Sequence, residues 1–475
     1  MKHHKQAPKS QDGLQAGDSP VLELDSISQE GQGIGHHDGL TVFIEGGLPG
    51  DRVLARINRR MSHYAVGSIQ KIIQPSPLRV QPACVQAKAC GGCTLQTLAY
   101  PAQLAVKQQQ VTDALQRIGH LDAAASLIRP IIGMSDPWHY RAKVQLPVTG
   151  AADRPQIGFY AAGSHQVVDA QSCLIQHPIC DAIREALREH IKTWQIPPYQ
   201  EQTHSGLLRH LVIRLGLATG DVMVGLVLNG DSLPGQDEWV EHLKSVIAGF
   251  HGATSFQLTC FYLNINRERT NVIQTSDIRM IYGQGWIEEH ILGLRYRISP
   301  LAFFQVNPLQ TERLYAAVLE LAALTGSETA LDLYCGTGSI TLQLARRAAN
   351  VLGIEMIGEA IADARRNAEL NAINNAKFLT GKAEDLLPGL VADGLKADLV
   401  VVDPPRKGCD GSLINTLIQL AAPRIIYVSC NPATLARDVA LLQPAGYRVQ
   451  AVQPVDMFPW SGHVETCVLI TRVDK

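Results

Sequence analysis

From Val21 to Ile73 apolar and polar residues alternate in short runs, VLELDSI, LTVFIEG, DRVLARINRR and YAVGSIQKII, separated by Gly-Gly, Pro-Gly and single glycines. Runs of that kind at that spacing predict short strands closing into a small barrel. The stretch YPAQLAVKQQQVTDALQRIGHL then switches to helical spacing and is closed by Gly119. WHYRAKVQLPV, IGFYAAGSHQVVDAQSC, LLRHLVIRLGLATGDVMVGLVLNG and QLTCFYLNINRERTNVI return to strand and turn, with a hairpin turn at Ala218-Thr-Gly-Asp221. From Ala330 onward apolar strands (ALDL, NVLGIE, KFLTG, DLVVVD, RIIYVS) alternate with helices (ITLQLARRAA, EAIADARRNAELNAI, LINTLIQL, ATLARDVALL), which predicts a doubly wound sheet. The expected organisation is multi-domain: a disordered tail over residues 1–16, a barrel over 17–75, a central α+β domain over 76–290 and a C-terminal α/β domain over 291–475.

Composition narrows this picture. With 475 residues, 46% of them hydrophobic and 18% charged, the chain can bury several cores and is not of the disordered class. No apolar run reaches the roughly 18 residues of a membrane span. The first residues, MKHHKQAPKSQDG, are polar and lack the apolar segment of a secretory signal. The 10 cysteines in so long a chain do not make a disulfide scaffold, so reduced thiols and a cytoplasmic monomer without membrane contact are expected. A net charge of −2 means that any nucleic-acid site must be a local basic surface. Arg52, Arg56, Arg59, Arg60 and Lys71, interleaved with His63 and Tyr64, offer such a face with a stacking platform on the barrel; the plainer reading is a solvated surface. This barrel resembles the TRAM domain, an oligonucleotide-binding (OB-like) fold carried by RNA-modifying enzymes. Arg141, Lys143, Arg209, His210 and Arg214 are further candidate RNA contacts.

Cys84, Cys90 and Cys93 follow the barrel in a C-x5-C-x2-C loop whose two glycines let the backbone curl around a ligand. Cys173 is the best fourth thiol, with Cys180 behind it. Four thiolates suit tetrahedral zinc or an iron–sulfur cluster. The spacing differs from the paired C-x2-C knuckles of zinc ribbons and favours a 4Fe–4S cluster, which would make the middle segment an iron–sulfur domain. It also differs from the C-x3-C-x2-C of radical S-adenosylmethionine enzymes, so a structural or redox-sensing role is expected rather than a catalytic one.

In the C-terminal half, Asp332-x3-Gly336-x-Gly338 runs a strand into a glycine turn, and a second strand closes on Glu355, where a ribose hydroxyl pair would be held. The full GxGxxG of nicotinamide binders is missing. The pattern suits the class I, Rossmann-like methyltransferase fold, whose ligand is S-adenosylmethionine. Asp403-Pro404-Pro405 ends another strand, and Arg406 stands where amino-group methyltransferases carry a base-stacking aromatic residue. One strand later comes Cys430, with Asn431 as N-cap and Pro432 at the first helical position, a setting whose helix dipole favours thiolate. A buried inert cysteine is the plainer alternative. Glu465 lies in HVET before the last apolar strand, where partial burial would raise it toward a general base.

Together Phe303-Phe-Gln305-Val-Asn307, DLYCGTG, GIE355, DPPRKG, SCNPATLARD and HVET closely resemble, in order, the RNA 5-methyluridine methyltransferase family. The resemblance implies that Cys430 adds to uracil C6, that C5 then takes the methyl group, and that Glu465 removes the C5 proton. It further implies that Gln305, Tyr334, Glu355 and Asp403 hold cofactor or base. The cysteines and the barrel point to cluster-bearing members acting on 23S ribosomal RNA, with transfer RNA the alternative. Tyr334 in place of the usual phenylalanine, Ser339 in place of asparagine, and Trp460-Ser461-Gly462 before HVE depart from the family pattern. Two other readings stay open: a non-catalytic RNA-binding iron–sulfur protein, and amino-base methylation through DPP.

Overall fold

A computed structural model describes residues 13–252 and 254–473. Residues 1–12 of the expected tail lie outside the described residues. The chain divides into two compact units. One runs to residue 83 and adds 93–110 and 460–462; the other comprises 84–92, 111–459 and the chain from 463 onward.

In the first unit the alternating runs form a closed barrel of five strands, Val21–Ile27, Gly33–His37, Leu40–Glu45, Arg52–Arg60 and Tyr64–Gln74. Closure comes from Val21–Ile27, which pairs antiparallel with both Gly33–His37 and Arg52–Arg60. The apolar half of the alternation fills the interior, with Leu22, Leu24, Val42, Ile44, Val53, Ala55 and Ile57 all buried. Arg52, Arg56, Arg59, His63, Tyr64 and Lys71 stay exposed on the outside, as the pattern predicts. Buried Asp51 fastens the chain as it leaves the barrel: it accepts the amides of Leu48 and Ser76, each at 2.8 Å, and two nitrogens of Arg79.

The second unit holds two seven-stranded sheets. In the central one, the hairpin of Leu208–Leu215 and Asp221–Leu228 turns where expected, between Lys143–Ala151 on one side and Gln257–Ile265 on the other. Helices Ile179–Thr193 and Gln236–Ala248 cover one face with an apolar layer around Leu187, Trp239 and Leu243. Every residue of Leu208–Leu215 is buried. This corrects the expectation for Arg209, His210 and Arg214, which are interior groups rather than surface RNA contacts. An innermost strand has no solvent face, and Arg209 bonds the carbonyls of Asn266 and Glu268 (2.7 and 2.8 Å) beneath Tyr199.

The other sheet runs, in spatial order, Ala376–Thr380, Asn350–Glu355, Thr329–Leu333, Leu399–Val402, Arg424–Ser429, Glu465–Arg472 and Tyr447–Val455. The first five are parallel and Glu465–Arg472 is antiparallel to both its neighbours. This is a Rossmann-like methyltransferase sheet. Strand order reverses between Thr329–Leu333 and Leu399–Val402, the switch point where open α/β sheets bind ligands.

Burial alone would raise Asp51, but Arg79 and the two amides together hold it below the ordinary carboxylate range. Its contribution to stability is therefore present above that range and fades as pH falls through the lowered value. Asp51→Asn leaves Arg79 without its charge partner and is expected to destabilise the barrel by about 3 kcal/mol at neutral pH, with the gap to wild type closing in acid. Hydrogen exchange of barrel amides at both pH values checks this.

Candidate active site

Leu333 pairs with Val402, so Tyr334 and Asp403 leave the sheet from neighbouring strands at the switch point. Tyr334, Gly336 and Gly338 adopt φ of 68°, 53° and 79°. This left-handed run turns the chain sharply, and the glycines keep its surface clear. Glu355 accepts the Gly336 amide at 3.2 Å and the Ile357 amide at 2.9 Å. A Cβ built on Gly336 meets nothing within 4 Å, so the backbone here borders open space. Met356 and Ile357 stand beside it, 59% and 53% exposed. An open glycine turn, an anchored carboxylate and an apolar shelf fit the ribose and purine of S-adenosylmethionine. The Tyr334 hydroxyl is bonded to Glu384 at 2.7 Å, which fixes the ring.

Gln305 sits on a loop that the central sheet holds in place. The Ala142 amide donates to Val306 O at 2.7 Å, and Arg214 Nη2 donates to Ala302 O at 2.6 Å. Asn307 then caps helix Pro308–Ala322 by accepting the Gln310 amide. Within the loop Phe304 is buried and Phe303 is 69% exposed.

Ser429 lies opposite Thr466, so Cys430 follows the end of one strand while Glu465 opens the other, and the two interact electrostatically. Asn431 caps helix Pro432–Leu442 through the Ala433 amide at 3.0 Å, as its sequence position predicts. The same helix anchors the DPP loop. Asn431 Nδ2 and Thr434 Oγ1 both donate to Arg406 O at 3.2 Å, and buried Asp438 accepts the Cys409 amide at 2.8 Å and the Tyr427 hydroxyl at 2.6 Å. Asp403, Arg406, Cys430 and Glu465 thus form one electrostatic group.

The group corrects the expected state of the thiol. Burial, then Glu465 and Asp403, push Cys430 up to about 11, against an opposing pull from Arg406. The helix N-terminus does not hold it as thiolate in this state. Glu465 lies well above the ordinary carboxylate range through burial and the charge of Asp403, and burial brings Asp403 to about 7. Such an arrangement pairs a protonated thiol with a carboxyl group, Asp403, able to exchange protons near neutrality, and with a second, Glu465, raised above the ordinary range.

Of the expected metal ligands, Cys84, Cys90, Cys93 and Cys173 are all partly buried and outside any disulfide. Among the described residues, however, no group of three or more His, Cys, Asp or Glu is arranged to hold a metal ion, so the expected iron–sulfur site is not formed by the side chains as they stand. Cys90 is raised by burial and by Cys84, and Cys173 by burial, Asp181 and Cys90. Sulfurs so placed stay protonated unless a cation offsets them.

A model of the tRNA (uracil-5-)-methyltransferase family matches residues 265–473. An uncharacterized RNA methyltransferase of Clostridium acetobutylicum is 43% identical over 96% of this chain and 97% of its own length. The chain belongs to the RNA uracil-C5 methyltransferase family. Another relative, an uncharacterized RNA methyltransferase of Halalkalibacterium halodurans, is 42% identical over 97% of this chain and 99% of its own. The crystal structure of Pyrococcus abyssi tRNA (uracil-54, C5)-methyltransferase with S-adenosyl-L-homocysteine superposes with a TM-score of 0.75 at 30% identity, covering 96% of this chain and all of that one.

Membership of this family makes S-adenosylmethionine the methyl donor and RNA the substrate. Sequence reading named Asp332 within its motif without a role of its own, and gave none to Asp438. Asp332, raised to about 7 by burial and by Asp403, receives the Thr341 hydroxyl at 2.5 Å beneath the glycine turn. Asp438 holds the DPP loop from helix Pro432–Leu442, where a strand-and-helix pattern assigns residues to packing alone; its polarity among buried apolar neighbours was the one signal that could have found it.

Alkylation of Cys430 by iodoacetamide is expected to accelerate with pH up to a midpoint near 11 in the ligand-free protein. Glu465→Gln removes the stronger opposing charge and moves that midpoint to lower pH. Mass spectrometry of the Cys430 peptide across a pH series reads both; an unmoved midpoint sinks the electrostatic account.

Proposed function

We propose that this chain transfers a methyl group from S-adenosylmethionine to C5 of a uridine in RNA, with Cys430 as nucleophile and Glu465 as base. The observation that carries the reading is the electrostatic grouping of Cys430, Glu465, Asp403 and Arg406 at one edge of the sheet. Uracil C5 is a poor nucleophile. The Cys430 thiol passes its proton to Asp403, which burial brings to about 7, as its sulfur adds to C6 and makes C5 enolate-like; C5 would then take the methyl group of S-adenosylmethionine, releasing S-adenosylhomocysteine. Glu465 then accepts the C5 proton, and elimination across C5–C6 returns the thiol. Asp403 orients the base or cofactor, and Gln305, Tyr334 and Glu355 hold the cofactor. Alignment of the two reactants can lower the barrier by about 7 kcal/mol or more.

Large-subunit (23S) ribosomal RNA is the proposed substrate, on the combination of an exposed basic barrel face with the cysteine loop. The barrel would bind RNA as a TRAM-like module. Transfer RNA is the second reading, favoured by the name of the Pyrococcus abyssi enzyme. We further propose that Cys84, Cys90, Cys93 and Cys173 bind a 4Fe–4S cluster. Supporting this, the Gly92 amide points at Cys90 Sγ at 3.4 Å, and the Cys173 thiol interacts with Cys90.

Labelled S-adenosylmethionine with unmodified total RNA is expected to yield 5-methyluridine in the 23S band; product in the transfer RNA band alone would move the substrate and keep the chemistry. Cys430→Ala should lose all turnover and still bind S-adenosylhomocysteine, and substantial product from it would end the covalent mechanism. Anaerobically purified protein should contain iron and acid-labile sulfide; zinc in a colourless protein would overturn the cluster.

A further inference from the structure

Two buried amide side chains at the start of helix Pro308–Ala322 are bonded to the chain beside Glu465. Asn307 is fully buried and Gln310 is 3% exposed. The helix cap uses only the Asn307 side-chain oxygen, which accepts the Gln310 amide at 3.2 Å. Its Nδ2 makes a bond that a cap does not require, donating to Met457 O at 3.1 Å, and lies 3.3 Å from the Met134 sulfur. Gln310 Nε2 donates to Asp456 O and to Ile132 O, each at 3.0 Å. Ile132 is joined to the same segment through its backbone: its amide donates to Pro454 O at 3.0 Å, and its carbonyl accepts the Asp456 amide at 2.9 Å. Asp456 and Met457 are buried and directly prolong strand Tyr447–Val455, whose last residue, Val455, pairs with Glu465. At the other end of the tie, Asn307 lies two residues past Gln305. A buried amide is costly unless its donors are satisfied. These carbonyls, rather than apolar packing, account for a glutamine sealed into the first turn of the helix.

We propose that Asn307 and Gln310 are positioning residues that hold the Glu465 carboxyl in register with the loop carrying Gln305. The inference deepens the reaction proposed above and rests on it. In that reaction Glu465 acts last: it takes the C5 proton, the C–H electron pair closes the C5=C6 bond, and the C6–sulfur bond breaks. A strand end free to shift carries Glu465 away from C5, and misplacement by about 1 Å can cost about 100-fold in rate. Cys430 is held separately, between strand Arg424–Ser429 and the helix that Asn431 caps. Loosening the tie therefore stalls the methylated covalent adduct instead of preventing its formation. Capping and tying are separable, because serine caps a helix about as well as asparagine but is too short to carry a donor to Met457.

The test incubates full-length wild type, Asn307→Ser, Gln310→Met and Glu465→Gln with methyl-labelled S-adenosylmethionine and unmodified total RNA. Label is followed into free RNA and, after denaturation and nuclease digestion, onto protein. Asn307→Ser and Gln310→Met are expected to turn over about 10- to 100-fold more slowly than wild type. Both should retain label on the protein, as Glu465→Gln does, with S-adenosylhomocysteine affinity unchanged by calorimetry. Adding either substitution to Glu465→Gln should lose nothing further, because the group it positions is already gone. Hydrogen exchange of the wild type needs no variant to fold: S-adenosylhomocysteine, held at Gln305, should slow exchange across residues 456–458. Turnover and protein-bound label that fall together mark a purely structural role and overturn the proposal. So do unchanged turnover, a loss of S-adenosylhomocysteine affinity, or exchange across 456–458 that ignores S-adenosylhomocysteine. A wild type that leaves label on neither RNA nor protein removes the reaction itself, whereas an active wild type with any of those results leaves the reaction standing and removes only the tie.

Discussion

The antiparallel pairing of Arg424–Ser429 with Glu465–Arg472 is the constraint on which the site depends. A parallel sheet alone delivers loops to one edge, but each loop then goes its own way. Reversing one strand makes the end of Arg424–Ser429 coincide with the start of Glu465–Arg472. A thiol that follows one strand and a carboxyl that opens the other, far apart in sequence, are thereby brought close enough to interact. A slip of one residue in Glu465–Arg472 would turn the Glu465 side chain to the other face of the sheet.

Within that frame, burial outweighs the helix N-terminus. Burial, with Glu465 and Asp403, pushes the Cys430 thiol up to about 11, against a helix terminus that commonly offers less than about 1 kcal/mol. The site therefore waits in a low-charge state, and Arg406 is the cation that opposes the build-up of negative charge on Cys430 and Glu465. The carbonyl bonds from Asn431 and Thr434 keep the Arg406 backbone beside the nucleophile's own helix.

Much of this was legible in the chain. Period-two alternation foretold the barrel, strand and helix alternation foretold the doubly wound sheet, and Asn431-Pro432 foretold its helix start. What the residues could not convey was depth. Arg209, His210 and Arg214 look like surface charges on a strand, yet their strand is innermost, and burial is set by neighbours brought from distant sequence. The protonated state of Cys430 escaped for the same reason: a helix start is local, while the two carboxyls that oppose it arrive by tertiary pairing. The cysteine spacing named candidate ligands, but spacing does not fix how sulfurs converge.

The loop that carries Gln305 takes hydrogen bonds from Ala142 and Arg214, residues of a different sheet. The transferase half is therefore not a self-sufficient cassette. Cut away from the central sheet, it would keep its strand order and its thiol but lose two of the donors that hold the loop carrying Gln305. Exchange of substrate-recognition domains between members of the family would have to carry this strand along, so modular rearrangement is restricted to partners that preserve both bonds.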